Sequence, residues 1–136
     1  KDTVCEQLYT RAISKYIDLH KSKIVGSELA AFLDSLQKEA AAAQSTNLST
    51  IMFKSQFSKS TARRVMASGL ASRDVKSGFE YCRQRVHKHF PKLANHVWRE
   101  FESGMQRWGR ECKATLEKVY GLDADLPFLT VLDFKL

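Results

Sequence analysis

Cys82, His87, His89 and His96 are the residues whose types could carry covalent or metal chemistry. A cysteine becomes a nucleophile beside a histidine only when the imidazole lies within hydrogen-bond reach of the thiol. Metal ligation needs at least three Cys, His or carboxylate side chains converging on one point. Cys82, His89 and His96 are spaced by seven, which returns to one face of a helix, but Pro91 interrupts that helix. His87 and His89 fall on nearly opposite sides of a helix. No phosphate-binding glycine loop, dinucleotide fingerprint or nucleophile elbow occurs. The expectation is a non-enzymatic chain with no catalytic residue, metal, cofactor or small-molecule substrate.

Charge carries a stronger signal. The formal net charge is +7, and all of it comes from residues 54–92, where ten Lys/Arg face only Asp74 and Glu80. Clustered charge of one sign is the footprint expected for a polyanionic partner, whether an acidic protein surface, nucleic acid or anionic lipid. Lys59, Arg63, Arg64, Arg73, Lys76, Arg83, Arg85 and Lys88 form the candidate binding surface. The plainer alternative is a helix face that lysine and arginine simply solvate.

Two further patterns bear on partners. Residues 61–90 partly resemble a helix-turn-helix. Gly69 stands at the turn, Leu70 and Val75 at buried positions, and Arg73, Lys76, Arg83 and Arg85 where phosphate or base contacts would be made. Val65 and Gly78 depart from that pattern, and an ordinary architectural helix pair explains the same letters. Trp98 sits one position off the apolar stripe of its helix, where tryptophan can anchor a partner as well as pack a core. Phe128 and Phe134, in the hydrophobic tail, are further candidates for docking.

The elements that must position these residues read as helices. From Pro91 to Gly121, Leu93, Val97, Phe101, Met105, Trp108, Cys112, Leu116 and Val119 recur every three or four residues. Pro91 suits a first helical turn and Gly121 a left-handed C-terminal cap. Salt-bridge spacing of four links Lys113 to Glu117 and Arg107 to Glu111. Upstream, a first helix runs from Asp2 to Ile24 with Val4, Leu8, Ala12, Ile13, Tyr16, Ile17, Leu19 and Ile24 as its apolar set. Gly26 ends it, and Ser27 opens a second helix that the alanines 40–43 extend. Residues 44–50 read as a loop and 51–57 as a short buried helix. Ser60 or Thr61 would cap another, closed by Ser68-Gly69, and Ser72 would open a longer one to Phe90 in which Gly78 marks a close helix contact.

The fold class is therefore an all-α bundle of five or six helices organised on one long C-terminal helix, occupying residues 1–121. An extended hydrophobic and acidic tail, 122–136, either packs on the bundle or acts as a docking segment. At 136 residues, 43% hydrophobic and 27% charged, the composition is that of an ordinary globular domain. The start at Lys1 rather than Met suggests an excised or processed piece. Three cysteines without a CxxC pair favour a reducing, intracellular setting, cytoplasmic or nuclear, while the sequon Asn47-Leu48-Ser49 points toward secretion. The functional expectation is a helical adaptor domain that docks an acidic protein partner through segment 54–92. A nucleic-acid-binding module using the same cations is the alternative, and an anionic membrane surface is a third reading.

Overall fold

The computed structural model describes residues 3–43, 48–71, 75–121 and 129–134. Among them there is no strand, and five α-helices form the bundle: α1 (Thr3–Val25), α2 (Ser27–Ala42), α3 (Lys59–Met66), α4 (Val75–His89) and α5 (Ala94–Tyr120). Short 3-10 turns cover Leu48–Phe53, Ser55–Phe57 and Leu129–Asp133. No helix among the described residues is long and apolar enough to cross a membrane.

α5 is 27 residues long and about 40 Å from end to end. It and α1 run parallel in a fixed register. Tyr9 stacks on His96, Ile17 meets Gly104 and the Lys21 ammonium lies over Trp108, each pair 87 residues apart in sequence. α4 runs antiparallel to both. Its Phe79 meets Trp98 and Phe101 of α5 edge-on, and its Gly78 lies against the backbone of Lys23 and Ile24 in α1. A Cβ on Gly78 would stand 2.6 Å from the Lys23 carbonyl oxygen, so the missing side chain is what admits the contact.

A single residue turns α1 into α2. Gly26, at φ 92°, donates its N–H to the Ser22 carbonyl and accepts the Ala30 N–H, so it closes one helix while opening the next. Leu29, Leu33 and Leu36 of α2, Met66 of α3, and Phe101, Met105 and Leu116 of α5 fill the main core.

Several boundaries differ from expectation. α3 is capped by Ser58, whose Oγ accepts the Thr61 N–H at 3.3 Å, rather than by Ser60 or Thr61. It continues through a π-turn, Ala67–Ala71, instead of closing at Ser68-Gly69. A Cβ on Gly69 would come within 2.7 Å of Leu29, so the widened turn is pressed against the start of α2. Pro91 opens no helix. The Phe90 carbonyl accepts the Leu93 N–H at 3.1 Å, placing Pro91 at the second position of a β-turn that its fixed φ suits. α5 then begins at Ala94, and Leu93 is 58% exposed instead of joining the stripe. Gly121 ends α5 at positive φ as expected, though with ψ 152° it is extended rather than a left-handed helical cap.

The apolar set of α1 also splits. Ile24 and Val25 are buried and Ile13, Tyr16 and Ile17 half-buried, whereas Val4, Leu8 and Leu19 are exposed. The expected set spanned more of the helix circumference than one buried face can hold. The tail from Leu129 folds back on α5, where Leu132 and Phe134 are buried over Gly109. Gln106 donates to the Phe134 carbonyl, and Lys113 pairs with Asp133 at 3.3 Å rather than with Glu117.

Candidate binding surface

The Cys–His and metal combinations are not assembled. Cys82 and Cys112 are buried, and that burial pushes their thiols up to about 11 and about 12, far from a reactive thiolate. His87 lies on the exposed side of α4, its Nδ1 3.0 Å from the Arg83 carbonyl oxygen, while Cys82 faces inward. Among the described residues no group of three His, Cys, Asp or Glu side chains could hold a metal ion.

The basic residues divide into two groups on different parts of the bundle. Lys59, Arg63 and Arg64 belong to α3, which packs on α2, whereas Lys76, Arg83, Arg85 and Lys88 belong to α4, which packs on α1 and α5. Arg73 lies outside the described residues. Arg64 pairs with Glu28 at 3.0 Å, and Lys54 pairs with Glu39. Both bonds are made to α2, so acidic residues from the neutral N-terminal third answer part of the excess charge. Lys59, Arg63, Lys76, Arg83 and Lys88 are exposed and have no ion-pair partner among the described residues. Arg85 is half-buried, its guanidinium 5.8 Å from the Tyr81 ring centre, and its Nε is buried with no partner among the described residues.

Between the two helices that carry the Arg64–Glu28 pair, the structure opens a cleft of about 270 Å³. Phe32 of α2, Phe57 of the preceding turn and Val65 of α3 are its buried apolar lining, with Ala31, Ser35 and Thr61 beside them. The rings of Phe32 and Phe57 are 5.9 Å apart and tilted by 58°. Tyr120 at the end of α5 donates its hydroxyl to the Phe57 carbonyl at 2.7 Å, and the Ser58 cap then starts α3 in a fixed direction. The cleft is thus apolar within, with Arg64 and Glu28 among its lining and Lys59 and Arg63 exposed on the same short helix. Of the α3 cations only Arg64 lines the cleft, paired there with Glu28, while Lys59 and Arg63 lie on the far side of the helix from Thr61 and Val65. An apolar side chain would fill the space and a ligand carboxylate would meet Arg64 in competition with Glu28.

The three aromatic docking candidates have different fates. Trp98 is half-buried, stacked on Phe101 at 5.3 Å and edge-on to Phe79. Phe134 is 2% exposed and stacks parallel to Trp108, so it serves its own chain's core. Phe128 lies outside the described residues, as does Asn47 of the sequon. Sequence reading missed the cleft because its walls, residues 28–35 and 56–65, acquire their relation only when the chain reverses after α2. The one local hint was the Ser58-Lys59-Ser60-Thr61 run, whose hydroxyls suit the start of a helix. The chain matches no protein-family model, and comparisons with curated proteins and with solved structures give no match.

Proposed function

We propose that this domain is a non-enzymatic adaptor that docks an acidic peptide segment carrying a large apolar side chain in the α2–α3 cleft. One observation carries the reading. An apolar cleft lies on the α2 side of α3, with Arg64 and its partner Glu28 as the charged residues of its lining. A nucleic-acid backbone would favour a continuous cationic track, and here α3 and α4 pack on different neighbours. The α4 cations then steer the approach of an acidic partner instead of forming the site.

The test is fluorescence anisotropy with a labelled glutamate-rich peptide containing one central phenylalanine, a matched peptide with alanine there, and single- and double-stranded oligonucleotides. The adaptor reading expects the phenylalanine peptide to bind about tenfold to a hundredfold more tightly than the alanine one, the worth of burying one aromatic side chain. Oligonucleotide binding stronger than either peptide, with a steep salt dependence, would instead support the nucleic-acid alternative.

A further inference from the structure

α1 carries two apolar faces, and the bundle uses only one. Ile13, Tyr16, Ile17, Ile24 and Val25 turn toward α2, α4 and α5. On the other side Val4, Leu8 and Leu19 are 63%, 55% and 71% exposed, with exposed Ala12 between them. At about 100° per residue these four positions fall within an arc of about 80°. They make a stripe about 22 Å long. Large apolar side chains left in water at regular helical spacing are a cost unless something covers them.

The charges on the same face say what covers it. Arg11 and Lys15 are exposed within or beside that arc. Of the described acidic residues of α1, Glu6 lies on nearly the opposite side of the helix from Leu8, and Asp18 lies at the margin, bonded to Lys21 at 3.1 Å. No carboxylate therefore stands among the apolar four. A second copy of this face would bring Arg11 and Lys15 against like charges. The neighbouring helices meet α1 from its inner side, so no groove among the described residues encloses the stripe. The concavity beside the stripe is lined by Glu6, Gln7, Thr10 and Arg11 and takes in none of the apolar four. A convex ridge of alternating apolar and cationic side chains fits a plane of negative charge.

We propose that the outer face of α1 is a docking surface for an anionic lipid membrane. Val4, Leu8 and Leu19 enter the headgroup layer while Arg11 and Lys15 meet the lipid phosphates and carboxylates. This surface is separate from the α2–α3 cleft, so either can fail without the other.

The experiment is co-sedimentation of the chain with phosphatidylcholine vesicles, with and without phosphatidylserine. Binding is expected only when phosphatidylserine is present. The double variants Leu8→Glu/Leu19→Glu and Arg11→Glu/Lys15→Glu should each weaken it by at least about tenfold. Both pairs are exposed, so circular dichroism should show an unchanged helical fold, and Ala12→Leu, which adds apolar surface to the stripe, should tighten binding. Absence of phosphatidylserine-dependent binding would overturn the proposal. So would binding that survives Leu8→Glu/Leu19→Glu, which would mean adhesion by charge alone. A dimer in light scattering that this same variant dissolves would assign the face to a second copy instead.

Discussion

Lys21 donates to the Asp34 carboxylate at 2.8 Å, across the corner that Gly26 makes between α1 and α2. Lys21 is 6% exposed, and its ammonium lies 4.9 Å from the centre of the Trp108 ring, which stacks in turn on Phe134. One buried cation thus joins α1, α2, α5 and the returning tail. Asp18 also accepts from it, at 3.1 Å. Burial alone would lower the Lys21 pKa, but the hydrogen bonds to Asp34 and Asp18 more than offset it and hold the value above 10.5. Because the folded-state value is raised, this stabilisation is complete at neutral pH. It is lost only as the pH climbs beyond the ordinary lysine range.

Removing the two carboxylates should have unequal effects. Asp34→Ala leaves the buried ammonium with one exposed partner and should cost about 1–3 kcal/mol in urea denaturation, the loss of one charge-assisted hydrogen bond from a half-exposed carboxylate. Asp18, whose side chain is 68% exposed, should cost under about 1 kcal/mol when changed to alanine. Equal losses in the two variants would show that Asp34 does not hold the corner.

Gly78 sets intrinsic propensity against packing. Alanine is favoured over glycine in a helix interior by about 1 kcal/mol. A Cβ here would lie 2.6 Å from the Lys23 carbonyl oxygen and 2.8 Å from the Ile24 Cα, and neither backbone atom can turn aside. Overpacking of this kind costs about 1–3 kcal/mol or more. Gly78→Ala should therefore lower the melting temperature by several degrees. A rise would mean that α1 and α4 separate at little cost.

The buried thiols make stability fall in mild alkali. Their values are raised from 9.0 to about 11 for Cys82 and about 12 for Cys112, first because burial disfavours the thiolate. An unfolded thiol ionises earlier than the folded one, so the stabilisation is whole below pH 9 and lost as the pH rises toward 11–12. Between pH 8 and pH 10 the loss should reach about 2–3 kcal/mol for the two together. The double variant Cys82→Ala/Cys112→Ala, though less stable throughout, should have a flatter profile over that interval. An equally steep profile in the variant would place the alkaline loss elsewhere.

Much of this architecture was legible because it is local. The stripe from Val97 to Val119, the corner at Gly26 and the break at Pro91 each depend on residues within one or two turns, whereas Gly78 marked a close approach without naming its partners, Lys23 and Ile24. The choice of α1 face was not legible, since Leu8 and Ile17 look alike until α5 arrives against one of them. Lys113 had Glu117 at favourable spacing, yet Asp133 reaches it because the tail folds back. The cleft was the least visible. Glu28 and Arg64 are 36 residues apart, and their pairing depends on the reversal that Tyr120 secures through Phe57. Charge segregation in residues 54–92 located the basic helices but said nothing of the apolar gap beside α3.

The most direct test of the adaptor reading is a nitrogen–proton correlation spectrum of the labelled chain, titrated with the phenylalanine-bearing acidic peptide. The largest shifts are expected at the amides of Ala31, Ser35, Thr61, Arg64 and Val65, which line the cleft. Ala31 is exposed at its mouth, so Ala31→Trp should fill the space and weaken binding by about tenfold or more while leaving the other amides in place. Shifts confined to Lys76, Arg83 and Lys88 on α4, unchanged by Ala31→Trp, would contradict the adaptor reading.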